Sequence, residues 1–259
     1  MIRKFTFILA VFISLTSFGQ NAIAINQQSK KLIQSQEFDK AVPLLKQAAD
    51  SGVAEAQYNL GVTLEYGYGI EKNIDSAFYW YLKSADQGWN NGLYKMMMAH
   101  ANGVGALQSN EKAFEYALAC ASNNDITCMF NVVGAYQDGI GTKKDIGKML
   151  EWAIKIGKLE TPENLMKSGK ITSARLNLAY MYRDGRNVEK NLTESFAWFL
   201  IYNESKRDFS ILQQQSVIKE IQELGKSLTD EQKQKAKTKA ESIMNRPLSN
   251  MAKLFETSR

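Results

Sequence analysis

The stretch AEAQYNLGVTLEYGYG at residues 54–69, with NIDSAFYWYLKSADQG at 73–88, decides how this chain folds. Leu60 and Leu64 lie four apart and share one helical face. Gly61 is a small neighbour on that stripe, where a second helix can approach closely. Gly67 follows directly, at the point where a left-handed residue ends a helix. Asn73 is a preferred helix N-cap, and the segment it opens carries alanines and aromatics at helical spacing. One unit is therefore a helix, a glycine-bounded loop and a second helix.

The unit recurs. A period of 36 brings Gly67 onto Gly103 and Gly139, and a step of 46 reaches Gly185. The extra ten residues of that step fall between Gly157 and Ile171. In the same register stand Gly69, Gly105, Gly141 and Asn187, then the caps Asn73, Ser109, Asp145 and Asn191, then Trp80, Tyr116, Trp152 and Trp198. Asn191 has Glu194 three positions on, a variant of the capping box. Stepping back by 36 sets Ala41, Leu44, Ala49 and Gly52 under Ala77, Trp80, Ala85 and Gly88. A unit of this kind cannot bury its apolar stripe alone, so neighbours must stack.

The pattern L-G-x-x-[YL]-x-x-G-x-G, then [DN]-x-x-x-A-x-x-W-x-x-x-A-x-x-G, resembles the Sel-one-like repeat, a relative of the tetratricopeptide repeat with a longer loop. The match is close from Leu60 to Gly88. Later units depart from it at Met96-Met97, His100, Val132-Val133, Leu178-Ala179, Met149 and Ser195. The resemblance implies an all-α, right-handed α-solenoid of stacked helix pairs. It divides the chain into a tetratricopeptide-like opening unit at 25–52 and repeats at 53–89, 90–125, 126–171 and 172–205. The third repeat carries the 157–171 insertion, expected as a loop or short extra helix around Pro162. Capping helices follow at 206–259. Of these, Thr229-Asp-Glu-Gln232 is a capping box opening a Lys-rich helix that runs to about Met244.

Residues 1–24 read as an export signal: Arg3 and Lys4, an apolar run from Phe5 to Phe18, and an Ala22-Ile23-Ala24 cleavage site, with cleavage after Gly19 the alternative. The apolar run is short of the roughly 20 residues a spanning helix needs. The expectation is a periplasmic or secreted chain, with no stable membrane insertion once the signal is removed. The formal charge is +5. It is uneven: 19 basic and 20 acidic residues from Ile25 to Ser205, then 11 and 7 from Lys206 to Arg259. A near-neutral body with a mildly basic tail is no nucleic-acid signature.

Cys120 and Cys128 are the two cysteines. By the register one ends a second helix and the other opens the next first helix, so antiparallel helices can set them opposite each other. In an exported chain this favours a disulfide over two free thiols or a catalytic thiol. The cysteine-rich branch of secreted Sel-one-like proteins also carries C-x7-C. His100 replaces Leu64, Tyr136 and Tyr182 in a core column, which suits a partly buried, hydrogen-bonded histidine. Met96 to Met98 suit adaptable packing. No metal or cofactor is expected.

Some cysteine-rich relatives are associated with penicillin binding. Ser109-x-x-Lys112, Ser122-x-Asn124 and Lys167-Ser168-Gly169 occur in the matching order, but chance explains short matches and Ser109 already serves as a cap. The chain is therefore read as no enzyme. The resemblance implies an adaptor, monomeric, that binds a protein or peptide in envelope processes or host interaction. The alternative is an envelope module that binds peptidoglycan or a peptidoglycan enzyme. In tetratricopeptide-like stacks the first helices line the concave face. Here that face offers Glu55, Val62, Glu65 and Tyr66, then Tyr94, Met98 and Asn102. It continues with Gln137 and Asp138, then Tyr180, Arg183 and Asp184, while Tyr58 and Phe130 are assigned to packing between units. Aromatics among scattered charges suit interface anchors with a polar rim.

Overall fold

The computed structural model describes residues 20–205, 211–251 and 254. Most of the expected signal segment lies outside them. Among the described residues there are twelve helices and no strand. They are α1 (20–34), α2 (Phe38–Asp50), α3 (Ala54–Tyr66), α4 (Ile74–Asp86), α5 (Asn90–Asn102) and α6 (Asn110–Ser122). There follow α7 (Ile126–Asp138), α8 (Ile146–Lys158), α9 (Leu165–Asp184), α10 (Leu192–Ser205), α11 (Ile211–Ser227) and α12 (Asp230–Met244). Helix α1 is continuous through Ala24, and its Ala22 is buried.

The helices form two compact units, one from α1 to Cys128 with residues 140–142, the other from Met129 to the C-terminus without those three. In the first, α3 packs on α2 and α4, and α5 on α4 and α6. In the second, α9 packs on α8 and α10, and α10 also on α11 and α12. Each is a sequential stack of helix pairs, the architecture of α-solenoids.

The loop columns explain why the pairs recur so regularly. Gly67, Gly103, Gly139 and Gly185 all take positive φ, between +68° and +76°. Asn187, standing where the earlier repeats have glycine, takes φ +63° as well, a conformation asparagine tolerates. Asn73, Ser109, Asp145 and Asn191 each accept a hydrogen bond from the backbone N–H three residues on, at 2.8, 3.2, 2.9 and 3.0 Å. Their own N–H groups donate to the carbonyls of Leu64, His100, Tyr136 and Tyr182 at 2.8–2.9 Å. One column thus closes every loop onto its first helix. This also undoes the expected capping box at Asn191. Its N–H is already spent on Tyr182, and Glu194 turns instead to Lys239 of α12 at 2.6 Å. The box at Thr229 and Gln232 is complete.

Small residues set how closely helices approach. A Cβ on Gly61 would lie 2.5 Å from the Tyr81 ring, and one on Gly157 would lie 2.7 Å from Trp198. The 157–171 segment forms neither an isolated loop nor a separate helix. Residues 159–164 turn, Asn164 caps the next helix by accepting from Lys167 N–H at 3.0 Å, and residues 165–171 lengthen α9 to 20 residues. Pro162, lacking an N–H, sits in the turn. Arg175, 1% exposed, holds the turn down. It donates to the carbonyls of Gly157 and Leu159 and to the hydroxyls of Thr161 and Ser205 at 2.7–2.9 Å.

Cys120 and Cys128, both fully buried, form a disulfide with Cα atoms 5.7 Å apart. It joins α6 to the first turn of α7. At the other end, Glu204 clasps the tail. Its carboxylate accepts from Ser249 Oγ at 2.7 Å, Asn250 N–H at 2.8 Å and Arg246 at 3.2 Å.

Candidate functional site

Each unit carries a cavity beside a first helix. In the first unit a cavity of about 410 Å³ is lined by Ile33, Gln36, Phe38, Asn59, Val62, Thr63 and Tyr68. In the second unit a cavity of about 320 Å³ is floored by Met149, Ala153 and Ile156 of α8. Phe130, Val133 and Gln137 of α7 wall it on one side, and Asn177, Leu178, Met181, Arg186 and Asn187 on the other. The residues 59, 63 and 68 of the first correspond through the repeat period to 177, 181 and 186 of the second. Asn59 and Asn177 therefore stand at one register position, each an amide in a cavity wall that also carries apolar side chains. Neither spends its side chain on another protein group among the described residues.

Between α3 and α5 the same interval is closed. The equivalent of Asn59 there is Lys95, which donates to Glu65 at 2.5 Å and lies over the rings of Tyr81 and Tyr66 at 5.1 and 5.8 Å. Tyr81 donates its hydroxyl to the same carboxylate. Burial pushes the Glu65 carboxyl up, but the bonds from Lys95 and Tyr81 outweigh it and hold it below the usual 4.5. Burial and the bond to Glu65 push the Tyr81 phenol far above its ordinary range.

The repeat register can be compared with known families. The Sel1 repeat profile matches residues 54–89, 92–125, 131–159 and 172–201. The chain belongs to the Sel1 repeat family. A crystal structure of a Sel1 repeat protein from Oxalobacter formigenes superposes with a TM-score of 0.56 at 20% identity, covering 69% of each chain. The c5321 protective antigen of uropathogenic Escherichia coli, described as displaying an SLR fold, matches with a TM-score of 0.40 at 22% identity. That match covers 95% of this chain and 60% of the antigen. No curated protein matches the sequence.

In Sel1 repeat terms, the expected first-helix residues separate into exposed and engaged groups. Tyr66 and Met98 are 57% and 37% exposed, and Asn102, Gln137 and Asp138 are also open to solvent. Tyr94 is half-buried, while Val62 forms part of a cavity wall. Glu55 is engaged by Lys30 at 2.6 Å and Asn26 at 2.8 Å. Arg183 donates to Glu220 of α11 at 2.5 Å and to Asp184 at 2.6 Å, and covers the Tyr180 ring at 4.5 Å. Its hydrogen bond holds the Asp184 carboxyl below the usual range. The second-unit cavity takes Gln137 from the expected set, exposes Phe130, assigned above to packing between units, and adds Asn177, Met181 and Arg186, which the aromatic and charge pattern did not single out.

Five further residues find structural partners. His100 is buried, stacks on Tyr116 at 5.7 Å, and brings Nδ1 within 2.9 Å of the Leu107 carbonyl. Asp125 converges on the two cysteines, but the sulfurs are bonded to each other and Asp125 accepts the Cys128 N–H at 3.0 Å. Ser109, Ser122 and Lys167, from the three short motifs weighed for β-lactam chemistry, are a cap, a last-turn residue of α6 and a first-turn residue of α9. No described helix is long and apolar enough to cross a membrane.

Proposed function

We propose that this Sel1 repeat protein is an exported, monomeric adaptor that holds a peptide or protein ligand along its first helices. The observation that carries the reading is the recurrence of a cavity at one register position in two repeats. In each, an uncommitted asparagine amide stands among apolar and polar side chains. An extended ligand presents side chains to fill such hollows and backbone groups for such amides to bond. Export is supported by the Arg3-Lys4 and A-x-A pattern together with a buried disulfide, which persists in oxidising compartments.

The test compares two captures with the oxidised protein: partners from an envelope extract, and sedimentation on purified cell wall. The adaptor reading expects a discrete captured protein whose yield falls about tenfold when Asn59→Ala and Asn177→Ala are combined, a loss of about 1.4 kcal/mol in binding. Melting temperature should be unchanged. Sedimentation on cell wall without any captured protein would instead favour the peptidoglycan-binding alternative.

A further inference from the structure

Helix α1 runs straight through the position where the sequence offers its A-x-A cut. It begins at Gln20 and continues unbroken to residue 34, so Ala22, Ile23 and Ala24 lie within its first two turns. Ala22, Asn26 and Ser29 are 4%, 2% and 0% exposed. Their spacing sets them on one helical face, so the buried stripe of α1 starts at Ala22. Asn26 donates its side-chain amide to Glu55 of α3 at 2.8 Å, and Lys30 on the next turn reaches the same carboxylate at 2.6 Å. In helical geometry the backbone N–H of Asn26 donates to the carbonyl of Ala22. A cut after Ala24 would remove that carbonyl and leave the N–H of a buried residue without its acceptor, at a cost in stability. It would also strip Ala22 from its packing.

We propose that the exported chain is cut between Gly19 and Gln20, and that its mature form starts with Gln20. The proposal rests on the export reading above and names the processing site. Residues 17–19 lie outside the described ones. Their sequence, Ser17-Phe18-Gly19, closes the apolar run with small residues at the two positions an export peptidase requires. Water hydrolyses the Gly19–Gln20 peptide bond, leaving a carboxylate on Gly19 and an amine on Gln20. Ala22-Ile23-Ala24 meets the same small-x-small pattern for a different reason. Ala22 is small because α1 packs closely there, and alanine at Ala24 favours the helix. The cut precedes folding, so the finished helix does not shield Ala24 from the peptidase. What the fold records is which residues the finished protein keeps, and it keeps 20–24.

Mass spectrometry of protein expressed from Met1 in a bacterial host and recovered from the periplasm reads the site directly. The expected N-terminus is Gln20, either as the free amine or as the ring its side chain forms with that amine on losing ammonia. Gly19→Leu should slow processing about tenfold or more, because the residue before the cut must be small. Ala22→Glu should leave processing intact and lower the melting temperature of the mature protein by a few degrees, since it forces a charge into a packed face. A mature chain that starts at Ile25 would overturn the proposal while leaving export standing. So would processing that Ala22→Glu blocks and Gly19→Leu does not. A chain that keeps Met1 and never reaches the periplasm would sink the export reading and this inference together.

Discussion

Gly61 has no room for a side chain, because the fully buried Tyr81 is pinned across it by a hydrogen bond to Glu65. Gly61→Ala should cost about 2 kcal/mol, the range of overpacking in a rigid core, measured as a shift in the urea midpoint. A neutral result would mean that α4 can slide away from α3. Arg175 makes the opposite case, a large polar group that the fold is built around. Arg175→Met keeps much of the volume but leaves the Gly157 and Leu159 carbonyls without these donors, and should cost about 3 kcal/mol. The two residues also differ in how well the sequence revealed them. Gly61 declares itself by its place on a Leu stripe. Arg175 does not, since its partners lie in a turn whose shape no periodicity encodes.

At the scale of elements, the disulfide is a short staple between α6 and α7, with a sequence separation of eight. Closing a loop of that size stabilises by about 2–3 kcal/mol through the unfolded chain. Reductant should therefore lower the melting temperature of the wild type and leave a Cys120→Ala, Cys128→Ala variant unmoved. Equal melting with and without reductant would show that the bond contributes nothing. The tail clasp is sensitive to pH rather than to redox state. Burial pushes the Glu204 carboxyl up, but bonds from Ser249, Asn250 and Arg246 hold it below the usual 4.5. A carboxyl depressed on folding stabilises above its unfolded value, and that stabilisation is lost as pH falls through the folded value. Protection against hydrogen exchange at residues 248–251, relative to the intrinsic rate at each pH, should fall as pH drops below the usual carboxylate range, and Glu204→Gln should show the low protection already at neutral pH. If Glu204→Gln exchanges as slowly as the wild type at neutral pH, the clasp is held by other contacts. Loop ends and caps were legible because each is a local requirement, such as a left-handed residue or a side-chain acceptor. The lengthening of α9 was not, because Pro162 marks a turn without saying where the next helix begins.

For the whole molecule, the period of 36 and the disulfide partners were readable from residue columns, and the helices follow them closely. The cavities were not readable, because they depend on which side chain fills an interval and which leaves it open. Lys95 closes one interval by pairing with Glu65, whereas Asn59 and Asn177, in the same column, leave theirs unfilled. Aromatics and charges drew the sequence reading toward Glu55 and Arg183, which the fold ties to Lys30 and Glu220. The central claim, that ligands lie along the first helices, is tested most directly by photocrosslinking. A benzophenone amino acid is placed at Asn59, at Asn177 and, as a control, at Lys235 on α12, and the protein is irradiated with its captured partner. The account predicts crosslinks from positions 59 and 177 and none from 235. Crosslinks from 235 alone would contradict it.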